Sequence, residues 1–289
     1  MNKKYLPLSD VQRSYFYGRS KGTFLGGIST HFYIECITDL DTCKLEKALN
    51  SVIKEQPSLR SYITSDGMQC FMDEPPQYYK IEEIDVSDLP EQEQKEKLLE
   101  IRKKWSSRIF DLDSWPMFGF NMFVMSENKK VVIIDSDMMI MDGLSTEILI
   151  ESLHKYYEKN EPVQEISIEA FEDYIAFKDQ KKTKNYDDDK AFWKEVITEL
   201  PSGPQFEKIG NNEEYTFDTR ETIISADKWG AKSQELKSKR ILPSVYLTTA
   251  YAKLLSKWCG QSRVTLNMTV SNRKSNDNSI FNAMGDFTE

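Results

Sequence analysis

The sequence contains little of what metal, redox and nucleotide sites are built from. It has two histidines, His31 and His154, and four cysteines, none of them in a C-x-x-C pair. A zinc cluster is therefore not expected, no metal is assigned, and the cysteines are predicted to be free, buried thiols. The sequence has neither a Walker loop nor a G-x-G-x-x-G motif, so nucleotide and dinucleotide sites have no support.

Long apolar runs and an excess of basic residues are also missing. No segment approaches the roughly 20 apolar residues of a membrane span, and the N-terminus lacks the apolar core of a secretory signal, so we expect a cytoplasmic protein. The net charge of −9 disfavours nucleic acid as a partner, because phosphate backbones are bound by basic patches. The hydrophobic share of 39% is typical of a folded, soluble protein.

The first half of the chain shows alternating strand and helix patterns. Residues 31–36 alternate as a half-buried strand does, and helical spacing of apolar residues begins at Lys44. Residues 91–104 form a charged, amphipathic helical pattern, and residues 131–134 are a β-branched run typical of a central strand buried on both faces. Helical spacing resumes after Gly143. A strand-to-helix turn is therefore predicted between the buried strand and this helix.

The second half suggests a separate lobe. Residues 181–190 (KKTKNYDDDK) are nearly free of apolar groups, which predicts a surface linker. Pro243 begins a helical pattern, and residues 264–270 alternate apolar and hydrogen-bonding side chains as a strand does. The chain thus reads as a mixed α/β protein with an N-terminal lobe over 1–180 and a C-terminal lobe over 191–289.

The predicted turn carries polar residues at fixed spacing. Asp137, Asp142 and Ser145 form the pattern D-x-x-x-x-D-x-x-S. Further recognisable motifs occur in a fixed order along the chain. They span residues 6–19, 25–35, 55–60, 110–118, 200–208, 266–273 and 285–288, the last reading G-D-F-T. Together these motifs resemble the heterocyclization domain of nonribosomal peptide synthetases, a relative of the condensation domain.

The resemblance is most specific at the turn. Ordinary condensation domains carry H-H-x-x-x-D-G there, whereas this chain has Asp137 at the first histidine and Met138 at the second. The resemblance implies a two-lobed α/β fold like that of chloramphenicol acetyltransferase. Because domains of this family continue well past G-D-F-T, it also implies that the second lobe is incomplete and the chain truncated at its C-terminal end.

The family reaction joins an acyl group on one carrier protein to the amine of a carrier-bound cysteine, serine or threonine. The side chain then closes onto the new amide and water is lost, which gives a thiazoline or oxazoline. The implied partners are the upstream and downstream peptidyl or acyl carrier proteins and the adjacent adenylation domain. No cofactor is expected on the domain itself, since the substrates ride on the phosphopantetheine arms of the carriers, and neither nucleic acid nor membrane is expected as a partner.

Both steps move protons, so carboxyl groups are the first candidates for the site. The motif supplies Asp137 and Asp142, and each also has a structural alternative. Asp137 can be a plain carboxylate at a strand end. Asp142 can cap the following helix or pair with Arg273, as the equivalent aspartate does in related condensation domains. We predict a direct ion pair between Asp142 and Arg273.

Four other residues complete the predicted site. Asn272 is assigned to the catalytic set, because the family has an asparagine at the tunnel. Ser145, Asn267 and Thr269 are assigned, with Arg273, to active-site support, the alternative for Ser145 being a first-turn hydrogen bond and for Asn267 and Thr269 a backbone ladder. The expected groove between the lobes is lined by Asp137, Asp142 and Asn272.

Two other functions stay open. One is a truncated, non-catalytic fragment that docks carrier proteins, and the other is condensation or simple acyl transfer without cyclization. The sequence departs from the family motifs at Gln56, Phe206 and Ser271, which leaves the substrate open. It does not decide which nucleophile is cyclized.

Overall fold

The computed structural model describes residues 3–20, 23, 26–206 and 222–289, with the backbone alone for 181–184. Leu25, Glu207 and Lys208, which belong to two of the motif matches, lie outside the described residues. The chain divides into two compact units. The first comprises Met1–Lys184 together with Thr269–Glu289, and the second comprises Asn185–Met268.

All the described strands lie in the first unit and form two sheets. The strands are β1 (Lys3–Pro7), β2 (His31–Thr38), β3 (Ser61–Ile63), β4 (Met68–Met72), β5 (Glu82–Asp85), β6 (Phe118–Ser126) and β7 (Lys129–Asp137). One sheet has the order β1-β4-β3 and is antiparallel. The other has the order β2-β7-β6-β5, in which only the β5–β6 pair is parallel.

The described residues form seven α-helices, and four of them begin within two residues of the position that the sequence predicts. The seven helices are α1 (Asp10–Gly18), α2 (Thr42–Glu55), α3 (Glu91–Trp105), α4 (Gly143–His154), α5 (Ile168–Val196), α6 (Ala226–Ser238) and α7 (Pro243–Cys259). Asp41 caps α2 by accepting a hydrogen bond from the Lys44 amide at 2.7 Å, and Gly260 ends α7 with a φ of 68°. In the described part of the chain, no helix is long and apolar enough to span a membrane.

Strand β7 is the buried centre of its sheet, as predicted. Val132 and Ile134 face a core that includes Leu49 of α2 and Leu149 of α4. Val131 and Ile133 face the opposite side, in a cluster that includes Trp105 of α3. Because alternate residues of a strand point to opposite faces, one β-branched run fills both layers. This packing fixes the end of β7, from which the turn follows.

The prediction that residues 181–190 form a surface linker was wrong about their secondary structure. Residues 181–190 lie within α5, which runs without a break from Ile168 to Val196. They contain neither glycine nor proline, and a polar segment without helix breakers is as suited to an exposed helix as to a loop. The division between the units, after Lys184, falls inside this segment.

The predicted second lobe over 191–289 also needs correction, because Thr269–Glu289 belong to the first unit. Ile280 and Phe287 are buried in a cluster with Phe71 of β4 and Phe171 of α5. Apolar contacts between residues this far apart leave no periodic signal in the sequence, so the local pattern could not reveal them.

No strand forms over residues 264–270, which corrects a third prediction. Alternation alone does not make a strand, since a ladder needs a partner for its backbone groups. Within the described ranges, Val270 alone of this segment exchanges two backbone hydrogen bonds with Glu289, at 2.9 and 3.1 Å, and Ser271 forms an isolated bridge to Thr288. The expectation of buried thiols holds for Cys70, whereas Cys36 and Cys43 are exposed.

Candidate functional site

The turn between β7 and α4 is anchored to the protein core by its own apolar side chains. Met139, Ile140 and Met141 are at most 2% exposed and belong to the main core. The amide of Ile140 donates to the carbonyl of Asp137 at 3.2 Å, which reverses the chain directly after the strand. The predicted strand-to-helix turn is therefore confirmed, and its two aspartates are held at its two ends.

Asp137 is fully buried and engaged by a single arginine. Nη1 and Nη2 of Arg19 each lie 3.0 Å from one of its carboxylate oxygens. Its Oδ1 also accepts the amide of Met139 at 3.0 Å. Arg19 directly follows α1, so this two-point contact joins the N-terminal motif to the turn. Arg19 was part of a sequence motif but had no predicted role.

Asp142 caps α4, which was one of its predicted alternatives. Its Oδ1 accepts the amide of Ser145 at 2.8 Å and the Ser145 hydroxyl at 2.7 Å. The Ser145 side chain in turn reaches back to the Asp142 amide, completing a capping box. The predicted first-turn hydrogen bond of Ser145 is thus confirmed.

Asp142 also forms the predicted ion pair. Its Oδ1 lies 2.6 Å from Nη2 of Arg273, and both side chains are at most 2% exposed. Burial lowers the pKa of Arg273, and the Asp142 carboxylate opposes that shift. The guanidinium also donates to the carbonyl of Ala283 and lies 4.2 Å from the ring of Phe287. A buried charge needs such partners, because an unpaired one carries its full desolvation cost.

The G-D-F-T segment closes over the cap. The Ser145 hydroxyl lies 3.0 Å from the Gly285 amide and 2.9 Å from the Gly285 carbonyl, which also accepts the Asp142 amide at 3.0 Å. A Cβ atom at position 285 would lie 2.6 Å from the Phe287 ring, so the contact requires glycine. This segment was recognised as a motif, but its contact with the turn was not predicted.

Asp286 is the titratable group of this segment. Burial raises its pKa to about 6, although the Thr288 amide and hydroxyl donate to its Oδ1 at 3.2 and 2.5 Å. Its Oδ2 has no hydrogen-bond partner among the residues described. No local pattern in the sequence indicates this pKa shift, because the shift arises from packing.

The polar residues predicted around the missing strand are not brought together. Asn272 is half-buried, and its side chain donates to Glu289 at 2.5 Å while its amide donates to the Phe287 carbonyl at 2.8 Å. Asn267 and Thr269 are exposed, and neither side chain makes a hydrogen bond within the described ranges. Asn267 lies in the second unit. The functional roles of all three stay predictions.

Two of the three residues that depart from the family motifs, Ser271 and Gln56, make contacts at Asp142 or at the segment that covers the turn. The Ser271 hydroxyl donates to Oδ2 of Asp142 at 3.3 Å. The buried Gln56 side chain donates to the Asn282 carbonyl at 3.1 Å and accepts the Met284 amide at 2.9 Å. Both residues replace other side chains in the family motifs, yet they hold the segment that covers the turn. Phe206, the third departure, lies in the second unit and is 55% exposed.

Comparisons with known proteins agree on one family. The profile of the Condensation domain family matches residues 2–289. Bacitracin synthase 1 of Bacillus licheniformis is 30% identical over 98% of this chain. Phenyloxazoline synthase MbtB of Mycolicibacterium paratuberculosis is 22% identical over 97% of it. The cyclization-docking bidomain of EpoB from Sorangium cellulosum superimposes on 98% of the chain, with a TM-score of 0.86 and 27% identity.

The matched regions are small parts of larger proteins. The chain spans 5% of bacitracin synthase 1, 24% of the phenyloxazoline synthase and 58% of the EpoB bidomain. The likeness to the bidomain confirms the predicted α/β, chloramphenicol-acetyltransferase-like fold class. Since the family profile covers nearly the whole sequence, the chain belongs to the condensation-domain family of nonribosomal peptide synthetases, as the resemblance predicted.

Proposed function

We propose that the chain is a heterocyclization domain, which forms an amide between two carrier-bound substrates and then closes a thiazoline or oxazoline ring. The observation that carries this proposal is the turn itself. Asp137 and Met138 stand where condensation domains have two histidines, and Asp137 is bound on both carboxylate oxygens by Arg19. A side chain held on both oxygens in this way is suited to positioning the turn.

Asp142 is engaged in a similar way, by Ser145 and Arg273. We therefore assign positioning roles to both aspartates rather than direct proton transfer. In this proposal the buried ion pairs fix the backbone at the start of α4, so that the turn keeps one geometry while substrates bind. Asn272 is retained as the candidate that contacts substrate, because its side chain is only half-buried and so remains partly accessible.

The proposed substrates are an acyl or peptidyl group and a cysteine, serine or threonine, each on the phosphopantetheine arm of a carrier protein. The proposed partners are those two carriers and the adjacent adenylation domain. The names of two relatives support the cyclization step, since one is a phenyloxazoline synthase and another is a cyclization bidomain. No cofactor bound by the domain itself is included in the proposal, and a cytoplasmic location remains part of it.

Condensation without cyclization is the second candidate. It is favoured by the family profile over residues 2–289, which describes a condensation domain and names no cyclization step. The two candidates differ by one molecule of water in the product. A third outcome, carrier docking without turnover, would give binding and no product.

Mass spectrometry of loaded donor and acceptor carriers, incubated with the chain, distinguishes these outcomes. We expect a condensed product on the acceptor and a second species that has lost one water. A condensed product that never loses water would support condensation alone. Binding of the carriers with no transfer, under conditions where a known heterocyclization domain is active, would support the docking role.

A further inference from the structure

The first unit also contains a cleft that lies away from the residues surrounding Asp142. It is a cleft of about 690 Å³ between the end of α3, the β5–β6 pair and the segment around Tyr79. Its size falls in the range of small-molecule sites, roughly 300–1,000 Å³. Neither Asp137, Asp142 nor Arg273 lines it, so the proposed reaction does not account for it.

Aromatic rings form much of the wall. Trp115 meets Tyr79 and Phe118 edge-on, with both ring-centroid distances at 6.2 Å. Its indole Nε1 donates to the carbonyl of Leu59 at 2.8 Å, which fixes the orientation of the ring. Trp105, at the end of α3, lines the same cleft. A wall of fixed rings binds a flat apolar group with little loss of side-chain entropy.

The charged residues of the cleft are mainly basic, although the chain carries a net charge of −9. Lys80, Lys104 and Arg108 line it, against Glu82 alone. Lys80 is paired with Glu46 outside the lining at 3.0 Å. Lys104 has no ion pair with any residue that the structure describes. The cleft therefore offers at least one ammonium group whose charge is not already matched by an acid.

Arg108 is held in place before any ligand binds. Its guanidinium lies 4.3 Å from the ring of Phe110, and Nη1 lies 3.3 Å from Oδ2 of the fully buried Asp135. No other hydrogen bond from this guanidinium is seen among the described side chains and backbone. Because a guanidinium has five N–H donors, most of them stay available to a ligand in the cleft.

Gly119, in the lining of the cleft, is what permits this arrangement. A Cβ atom at position 119 would lie 2.1 Å from Oδ1 of Asp135 and 2.8 Å from Nη1 of Arg108. Gly119 and Asp135 are register partners on β6 and β7, so the carboxylate occupies the space that a side chain would fill. The glycine thus allows the sheet to place a fixed arginine at the edge of an aromatic cleft.

We propose that this cleft binds a small aromatic carboxylate. The ring packs against the wall formed by Tyr79 and Trp115, and the acid group accepts hydrogen bonds from Arg108 and Lys104. Arginine and carboxylate have matching planar geometry, and charge-assisted hydrogen bonds of this kind are about twice as strong as neutral ones. The site is independent of the proposed heterocyclization, because it shares no residue with the turn.

The test is calorimetric titration of the full chain with 2-naphthoate and with its neutral analogue 2-naphthamide, together with quenching of tryptophan fluorescence. We expect saturable binding of one 2-naphthoate, and affinity for the amide lower by about tenfold or more. Lys104→Gln and Arg108→Gln should each weaken 2-naphthoate by a similar factor. Added salt should weaken the acid and leave the amide unchanged.

Lys97→Gln is the matched control, since Lys97 lies on α3 outside the cleft and pairs with Glu100 at 3.3 Å. It should bind 2-naphthoate as the parent chain does. Lys104→Gln keeps the test decisive if Arg108→Gln fails to fold, because Lys104 has no ion pair among the residues described. No saturable binding, equal affinity for acid and amide, or unchanged affinity in Lys104→Gln would overturn the assignment.

Discussion

Arg19 and Asp137 are 118 residues apart in the sequence and form a two-point ion pair in which both nitrogen–oxygen distances are 3.0 Å. The pair joins the residue after α1 to the last residue of β7. It thereby connects the arginine that ends the first family motif to the aspartate that begins the turn motif. The turn is held on its other side by a second pair, between Asp142 and Arg273.

Replacing Arg19 tests the first pair. Arg19→Gln leaves the fully buried Asp137 carboxylate without its cation, so we expect a loss of about 3–5 kcal/mol in the free energy of unfolding. Arg19→Lys keeps the charge but loses the planar two-point contact, and its loss should be smaller. Urea unfolding of the three proteins measures both. Equal stability of the parent and Arg19→Gln would contradict a structural role for the pair.

The second pair is best tested by a double-mutant cycle. Asp142→Ala removes both the helix cap and the partner of a buried arginine, so it should reduce stability as well as activity, by about 3–5 kcal/mol of unfolding free energy. Arg273→Leu should cost a similar amount. The double variant should cost less than the sum, because neither charge is then left unpaired. Additive losses would show that Asp142 and Arg273 do not depend on one another.

Gly285 provides a test of the covering segment. A Cβ atom there would meet the Phe287 ring at 2.6 Å, so Gly285→Ala should lower the free energy of unfolding by about 1–3 kcal/mol. Gly230 is the control, since it lies in the exposed middle of α6 with no atom within 4 Å of an added Cβ. Gly230→Ala should raise stability by about 0.5–1 kcal/mol. Thermal unfolding of both variants checks the contrast.

Asp286 predicts a pH dependence of stability. Its pKa is raised from 3.8 to about 6 by burial, so the protonated form fits the folded state better. The contribution is fully present below pH 3.8 and is lost as the pH rises through about 6. Asp286→Asn should remove this loss and gain at most about 3 kcal/mol over the parent at pH 8.

The measurement is urea unfolding of the parent and Asp286→Asn at several pH values. Thr288 can still donate to the amide oxygen of asparagine, so the variant keeps the local contacts of Asp286. A constant difference between the two proteins from pH 4 to pH 8 would mean that Asp286 titrates as an ordinary aspartate does.

The sequence was most informative where structure is decided locally. Helix α2 and helix α7 follow from apolar spacing, and Pro243 marks the start of α7. The turn and both roles of Asp142 could be predicted because a short motif fixes them. Residues 181–190 were misread because a polar run without glycine or proline suits an exposed helix as well as a linker.

Partners remote in sequence were harder to predict. The alternation over residues 264–270 could not reveal that, among the described residues, the segment has no ladder partner beyond the contact of Val270 with Glu289. The link between Arg19 and Asp137 has no local signature, although both residues were noted in motifs. Gln56 contacts the segment near residue 283 across more than half of the chain, and the raised pKa of Asp286 depends on how that segment packs.

The long separation between Asp142 and Arg273, 131 residues, also sets an order of events during synthesis. The β7–α4 turn leaves the ribosome well before its cation does, because all of residues 185–268 are made in between. Until Arg273 has been made, the Asp142 carboxylate is more stable in water than buried, since burying a charge without a partner carries its full desolvation cost. The first unit can therefore complete its folding only after Thr269–Glu289 has been synthesised. Contacts between residues this far apart in the sequence also favour slow folding.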